Sequence, residues 1–163
     1  YHDGRFDKFT GDGFICYCLL EDSFATQMET VLAFAAAVME SFRSYYYPAF
    51  AANLRNIPSG VGLSIAIDAG PCYVAPVAGD LTLLGLPIVG AVRMADAARR
   101  PYELLMNAYP GNRLTDGGAR DSGALASELR YQASRCVVET KEYPEGQEAY
   151  SFSFLKGGQS LFA

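Results

Sequence analysis

Histidine, patterned cysteine, long apolar runs and surplus positive charge are all scarce in this sequence. The single histidine, His2, stands near the first residue, so a histidine-based catalytic triad and a histidine-rich metal site are excluded from these 163 residues. Four cysteines, Cys16, Cys18, Cys72 and Cys136, match neither zinc nor disulfide spacing. Cys16-x-Cys18 puts both thiols on one face of a strand, where they read as core. The longest apolar run, Val31 to Met39, is far short of a membrane span and is flanked by Glu29 and Glu40. No membrane contact is expected, and with no signal-peptide pattern the expected location is the cytoplasm. A formal charge of −5 argues against a nucleic-acid groove. A polyphosphate ligand would then need a metal and a few local cations.

Half of the residues are apolar, and charged ones make up only 19%. Disorder is therefore not expected, and residues 1–163 read as one domain large enough for a full core. The chain opens on Tyr1-His2-Asp3-Gly4 and runs almost at once into a strand, as if the fold were met partway. Gly4 to Phe9 and Phe14 to Leu19 read as the two strands of a hairpin reversed at Gly11-Asp12-Gly13, since Asp-Gly tolerates the positive φ of a tight turn. Phe24, Met28, Val31, Leu32, Ala35, Val38, Met39, Phe42 and Tyr46 recur at helical spacing from Ser23 to about Tyr47, with Thr26-x-x-Glu29 as a capping box and Pro48 as the stop. One of Tyr45, Tyr46 and Tyr47 is expected in the core and the others at the surface.

Arg55 to Gly60 reads as a loop, and Val61 to Ala69 as a strand with one packed face. Gly70-Pro71 turns that strand into a second hairpin with Cys72 to Ala78, where Pro76 implies an edge or a bulge. Gly79-Asp80 is a further turn. Pro87 to Arg100 reads as a helix begun by its proline and stopped by Pro101. Glu103 to Asn107 is a short strand, Tyr109 to Gly123 a loop, and Arg135 to Lys141 with Glu148 to Leu155 a last hairpin. Hairpins with two helices between them fit an α+β domain, a mostly antiparallel sheet with helices on one face.

Three polar stretches then gain meaning together: Lys8-Phe9-Thr10-Gly11-Asp12, Ile65 to Pro71, and Thr82-Leu83-Leu84-Gly85 followed by Ala91-Val92-Arg93. In this order and spacing the chain resembles the catalytic domain of class III nucleotidyl cyclases from about Gly4 to Lys141. The resemblance implies a ferredoxin-like, palm-type fold that here lacks its first strand and helix. It also implies conversion of a nucleoside triphosphate to a 3′,5′-cyclic nucleotide and pyrophosphate, with two Mg2+ or Mn2+ ions per site. By the same resemblance Asp12 is the second of two metal aspartates, the first lying on the missing strand. Lys8 contacts the base, Thr82 is its partner in base selection, Arg93 steadies phosphate charge in the transition state, and Lys141 binds phosphate. In that family the metal ligands and the base-reading residues of one site come from different protomers, so a head-to-tail homodimer with two shared sites is implied.

The chemistry asks for such groups. The ribose 3′ oxygen must be activated and aimed in line at the α-phosphorus while pyrophosphate leaves, which two carboxylate-held divalent ions can support. An arginine then offsets charge on the phosphates. Two departures stand out: Val89 occupies the family's asparagine position, four residues before Arg93, and Gly85-Leu86 replaces Gly-Asp. Valine cannot orient a ribose oxygen. These changes point toward the bacterial pyrimidine cyclases of antiphage defence, which resemble this branch and make cyclic UMP or cyclic CMP. An adenylate cyclase, or a degenerate domain that binds nucleotide without turnover, are the alternatives. Without the resemblance, Asp12 and Asp68 read as turn formers and Arg93 as a surface ion-pairing residue.

Overall fold

The computed structural model describes residues 4–20, 23–56, 60–77, 79–98, 100–116, 122–125 and 128–162. His2, the middle of the loop read over 55–60, Ala78, Arg99 and residues 117–121 of the loop read over 109–123 lie outside the described residues.

Strands β1 (Arg5–Thr10) and β2 (Gly13–Tyr17) form the first hairpin, with Gly11 at a φ of 74° in its turn. The hairpin pairs only with itself among the described residues. None of the described residues of its two strands is fully buried. Cys16 is exposed and Cys18 half-buried, so the two thiols are not core residues.

Helix α1 (Phe24–Ser41) buries Met28, Leu32, Ala35 and Met39 of the predicted stripe, and Ala36 beside them. Its N-cap is Ser23 without a side-chain cap bond. Thr26 is already inside the first turn, where its carbonyl accepts from the Thr30 hydroxyl at 3.1 Å, so no capping box forms. Pro48 does not stop the chain's helical course. A π turn over Phe42–Tyr46, closed by Tyr47 N–H donating to the Phe42 carbonyl, precedes α2 (Tyr47–Ala51), and the proline falls in that helix's first turn, where no N–H is needed. Tyr45 and Tyr46 are exposed and Tyr47 is half-buried beside Phe42, so none of the three enters the core and Tyr46 does not continue the apolar stripe.

Only Ile65–Ile67 of the predicted strand pairs, as β3. It runs parallel to β6 (Leu104–Asn107) and does not form a hairpin with the next segment. The second hairpin instead joins β4 (Tyr73–Val77) to β5 (Asp80–Leu84) around Gly79, whose φ is 96°. Each of its strands pairs on one side only, which accommodates Pro76. Helix α3 (Leu86–Ala97) starts with Pro87 in its first turn, as predicted.

Residues 109–123 are not a loop throughout. Ala108–Asp116 form α4, and Ser122–Ala124 form β7. Pro110 sits in the first turn of α4, Leu114 is fully buried, and the Arg113 guanidinium lies 4.1 Å from the centre of the Phe24 ring. Tertiary packing thus outweighs the low helix propensity of Pro110 and Gly111. The long final hairpin pairs β8 (Leu129–Val138) with β9 (Gln147–Lys156), and β10 (Gln159–Ser160) folds back on β9. The central sheet runs β3-β6-β9-β8-β7, antiparallel except at β3–β6.

Helices cover both faces of this sheet, correcting the single-face expectation. Leu104, Met106, Tyr150, Phe152 and Phe154 face α1 and Leu114 of α4. Leu105, Val138 and Ala149 face Met94 of α3. The consecutive apolar residues of β6 explain this, because a strand buried on both sides needs cover on both. The class is α+β, with a mixed, mostly antiparallel sheet.

Candidate functional site

Two hairpins far apart in sequence meet at a polar cluster. Lys8 on β1 donates a hydrogen bond from Nζ to Thr82 Oγ1 on β5. Lys8 Nζ also lies 3.3 Å from Asp7 Oδ2, and Asp7 Oδ1 accepts from the Leu83 N–H at 3.3 Å. The Asp7 side chain is only 3% exposed, whereas that of Lys8 keeps 39% of its surface open. The Lys8 ammonium is therefore held between two oxygens on a side chain that stays partly exposed. The two residues that the resemblance assigns to base recognition are brought together; Asp7 was not singled out in the sequence, because an aspartate in an apolar strand gives no signal of what lies opposite it.

Asp12 stands exposed in the turn between β1 and β2. A pair of divalent ions needs several oxygen ligands. Among the described residues no three His, Cys, Asp or Glu side chains gather to hold a cation. The described residues do not by themselves fit a two-ion centre; Asp12 is one carboxylate of such a set.

Arg93 and Lys141 form a second pair of cations. Both line a shallow cleft of about 140 Å³ together with Asp96, Ala97, Glu139 and Thr140. Lys141 is not in a strand: β8 ends at Val138, and reciprocal backbone hydrogen bonds between Thr140 and Tyr143 fold the segment into a turn. Arg93 Nε lies 2.8 Å from Glu142 Oε1, and its Nη1 is 3.8 Å from Asp96 Oδ2. Glu142 therefore already offsets part of the Arg93 charge that an arriving anion would meet. No hydrogen bond or ion pair among the described residues joins this pair to Lys8 and Thr82.

A third polar pair lies at the carboxyl ends of the two parallel strands. Asp68, just after β3, accepts from Asn107 Nδ2 at 2.9 Å and from the Ala69 N–H at 2.8 Å. A Cβ on Gly90 of α3 would stand 2.3 Å from Asp68 Oδ2, so this glycine lets the helix lie on the carboxylate. Burial pushes the Asp68 carboxyl above its ordinary value, and the Asn107 and Ala69 bonds only partly offset that. Asp68 is more than a turn former: it ties β3, β6 and α3 together. Val89, next to Gly90, is exposed.

Comparison with family profiles, with curated proteins and with solved structures returned no match to the chain.

Proposed function

We propose that this chain is a nucleotidyl cyclase domain that converts a nucleoside triphosphate to a cyclic nucleotide and pyrophosphate, with a pyrimidine nucleotide favoured as substrate. The observation that carries the reading is the Lys8–Thr82 hydrogen bond, which joins two residues 74 positions apart that the resemblance pairs as base readers. Lys8 and Thr82 hold the base. Arg93 offsets charge on the phosphates through its remaining N–H donors, and Lys141 adds a second cation in the same cleft. Asp12 contributes one carboxylate toward Mg2+ or Mn2+, and no step is assigned to the ions.

A head-to-tail homodimer is part of the proposal: Asp12 of one protomer and the Lys8–Thr82 pair of the other belong to the same shared site. Phe9, Tyr73, Leu81 and Leu86 are each at least 73% exposed on the hairpins and at the start of α3. That much large apolar surface fits coverage by a second copy. Among the described residues no helix is long and apolar enough to cross a membrane.

A second reading, a degenerate domain that binds nucleotide without turnover, is favoured by Val89 and by the engagement of Arg93 with Glu142. Incubation with each of the four NTPs and manganese, with products resolved by mass, separates the two. The expected result is a cyclic pyrimidine nucleotide, lost in Asp12→Ala with the fold retained. A folded, dimeric protein that yields no cyclic nucleotide from any NTP would sink the enzyme reading. Cyclic AMP as the main product would make it an adenylate cyclase.

A further inference from the structure

Asp7 is the extra residue of a bulge in β1. Phe6 pairs with Cys16 and Lys8 with Ile15, so Asp7 has no partner across the hairpin. In an unbroken strand, neighbouring side chains point to opposite faces, and Asp7 and Lys8 would diverge. A bulge re-aims a side chain. Here the two side chains meet, with Asp7 Oδ2 3.3 Å from Lys8 Nζ. The other Asp7 oxygen accepts from the N–H of Leu83, the residue after Thr82. Although the Asp7 side chain is 97% withdrawn from solvent by its 3% exposure, its Oδ2 has no aligned hydrogen-bond donor. Burying a carboxylate that is incompletely donated to is unfavourable. Its place in the fold therefore points to a role other than stability.

We propose that Asp7 is the positioning residue of the base-reading pair: one oxygen holds the Lys8 ammonium against Thr82 while the other fixes the β5 backbone beside Thr82. The proposal rests on the cyclase reading, for it assigns what aims the reader. A lysine ammonium has three donors. Thr82 accepts one of them and the Asp7 carboxylate fixes the ammonium's place by charge, which leaves the remaining N–H donors for a base, together with the Thr82 hydroxyl proton, because Thr82 accepts from Lys8. Without Asp7 the four-carbon stem regains its rotamer freedom, and the donor loses its fixed direction.

The test measures Kd for the α,β-methylene analogues of the four NTPs, which cannot cyclise, with manganese present, on the wild type and on Asp7→Asn. Asparagine keeps an acceptor for the Leu83 N–H and removes the charge that holds Lys8. The wild type is expected to separate its best and worst bases by tenfold or more. Asp7→Asn should shrink that ratio at least fivefold. Equal weakening of all four analogues with the ratio unchanged is what a merely structural role produces, and it overturns the proposal. A wild type that binds all four equally also overturns it, while leaving cyclase activity to the product assay. Binding of none removes the cyclase reading itself.

If Asp7→Asn fails to fold, thermal denaturation of Lys8→Met and of the Asp7→Asn/Lys8→Met pair answers the same question. Lys8→Met strands the buried carboxylate and should lower the midpoint. The double variant should recover at least half of that loss. A double variant no more stable than Lys8→Met would show that Asp7 does not act on Lys8.

Discussion

At the scale of single residues, environment decides chemistry that residue type leaves open. Asp12 and Asp68 both stand beside glycine-containing turns in the sequence, yet one is exposed at a hairpin tip and the other is half-buried and bonded to Asn107. Burial raises the Asp68 carboxyl above its ordinary value of 3.8, so the native state binds that proton more tightly than the unfolded chain. Its stabilising contribution is then complete below the unfolded value and is lost as pH rises through the folded one. The difference in unfolding free energy between the wild type and Asp68→Asn, from urea titrations, should therefore fall as pH is raised from about 3 to about 7. A difference that does not change with pH would mean the carboxyl is unperturbed. The sequence offered no route to this, since Asn107 lies 39 positions from Asp68 and Gly90 looks like any small helical residue.

At the scale of elements, periodicity identified what is long and regular. The buried stripe of α1, the proline start of α3, the buried strand β6 and the last hairpin all follow from spacing and turn residues. Elements whose local propensity is poor were hidden. Segment 108–116 carries Pro110 and Gly111 and still forms a helix, because Leu114 enters the core and Gly111 lets the helix approach β9. A Cβ at Gly111 would stand 2.2 Å from the Tyr150 ring, whose hydroxyl donates to Asn112 Oδ1 at 2.7 Å and accepts from Arg135 Nε at 3.0 Å. Gly111→Ala should raise intrinsic helix propensity and nevertheless destabilise the protein by about 1–3 kcal/mol through overpacking. Chemical denaturation reads the sign, and a stabilised variant would show that α4 does not pack as described. The pairing of β3 was equally hidden: its partner β6 lies beyond a hairpin and a helix, and a strand's own alternation does not say which neighbour it meets.

For the whole molecule, the two hairpins are separate two-stranded sheets that carry large exposed apolar side chains beside the central sheet. A two-stranded sheet is marginal by itself in water, so a surface of this kind is expected to be covered. Leu86, at the start of α3, is 84% exposed. Leu86→Glu should convert a dimer to a monomer in sedimentation velocity without loss of helix content, and should remove turnover with it. An unchanged sedimentation coefficient would place the interface elsewhere. The sequence by itself determined the α+β class, the long helix and the turns at Gly11 and Gly79, because local φ preferences and hydrophobic periods act within a few positions. Only the tertiary structure decided that helices cover both faces of the sheet, that β3 pairs with β6, and that Lys141 lies in a turn beside Arg93. It also decided that Lys8 meets Thr82 with Asp7 buried beneath them. Those outcomes depend on which distant surfaces bury each other and on a one-residue bulge that turns two neighbouring side chains to the same side.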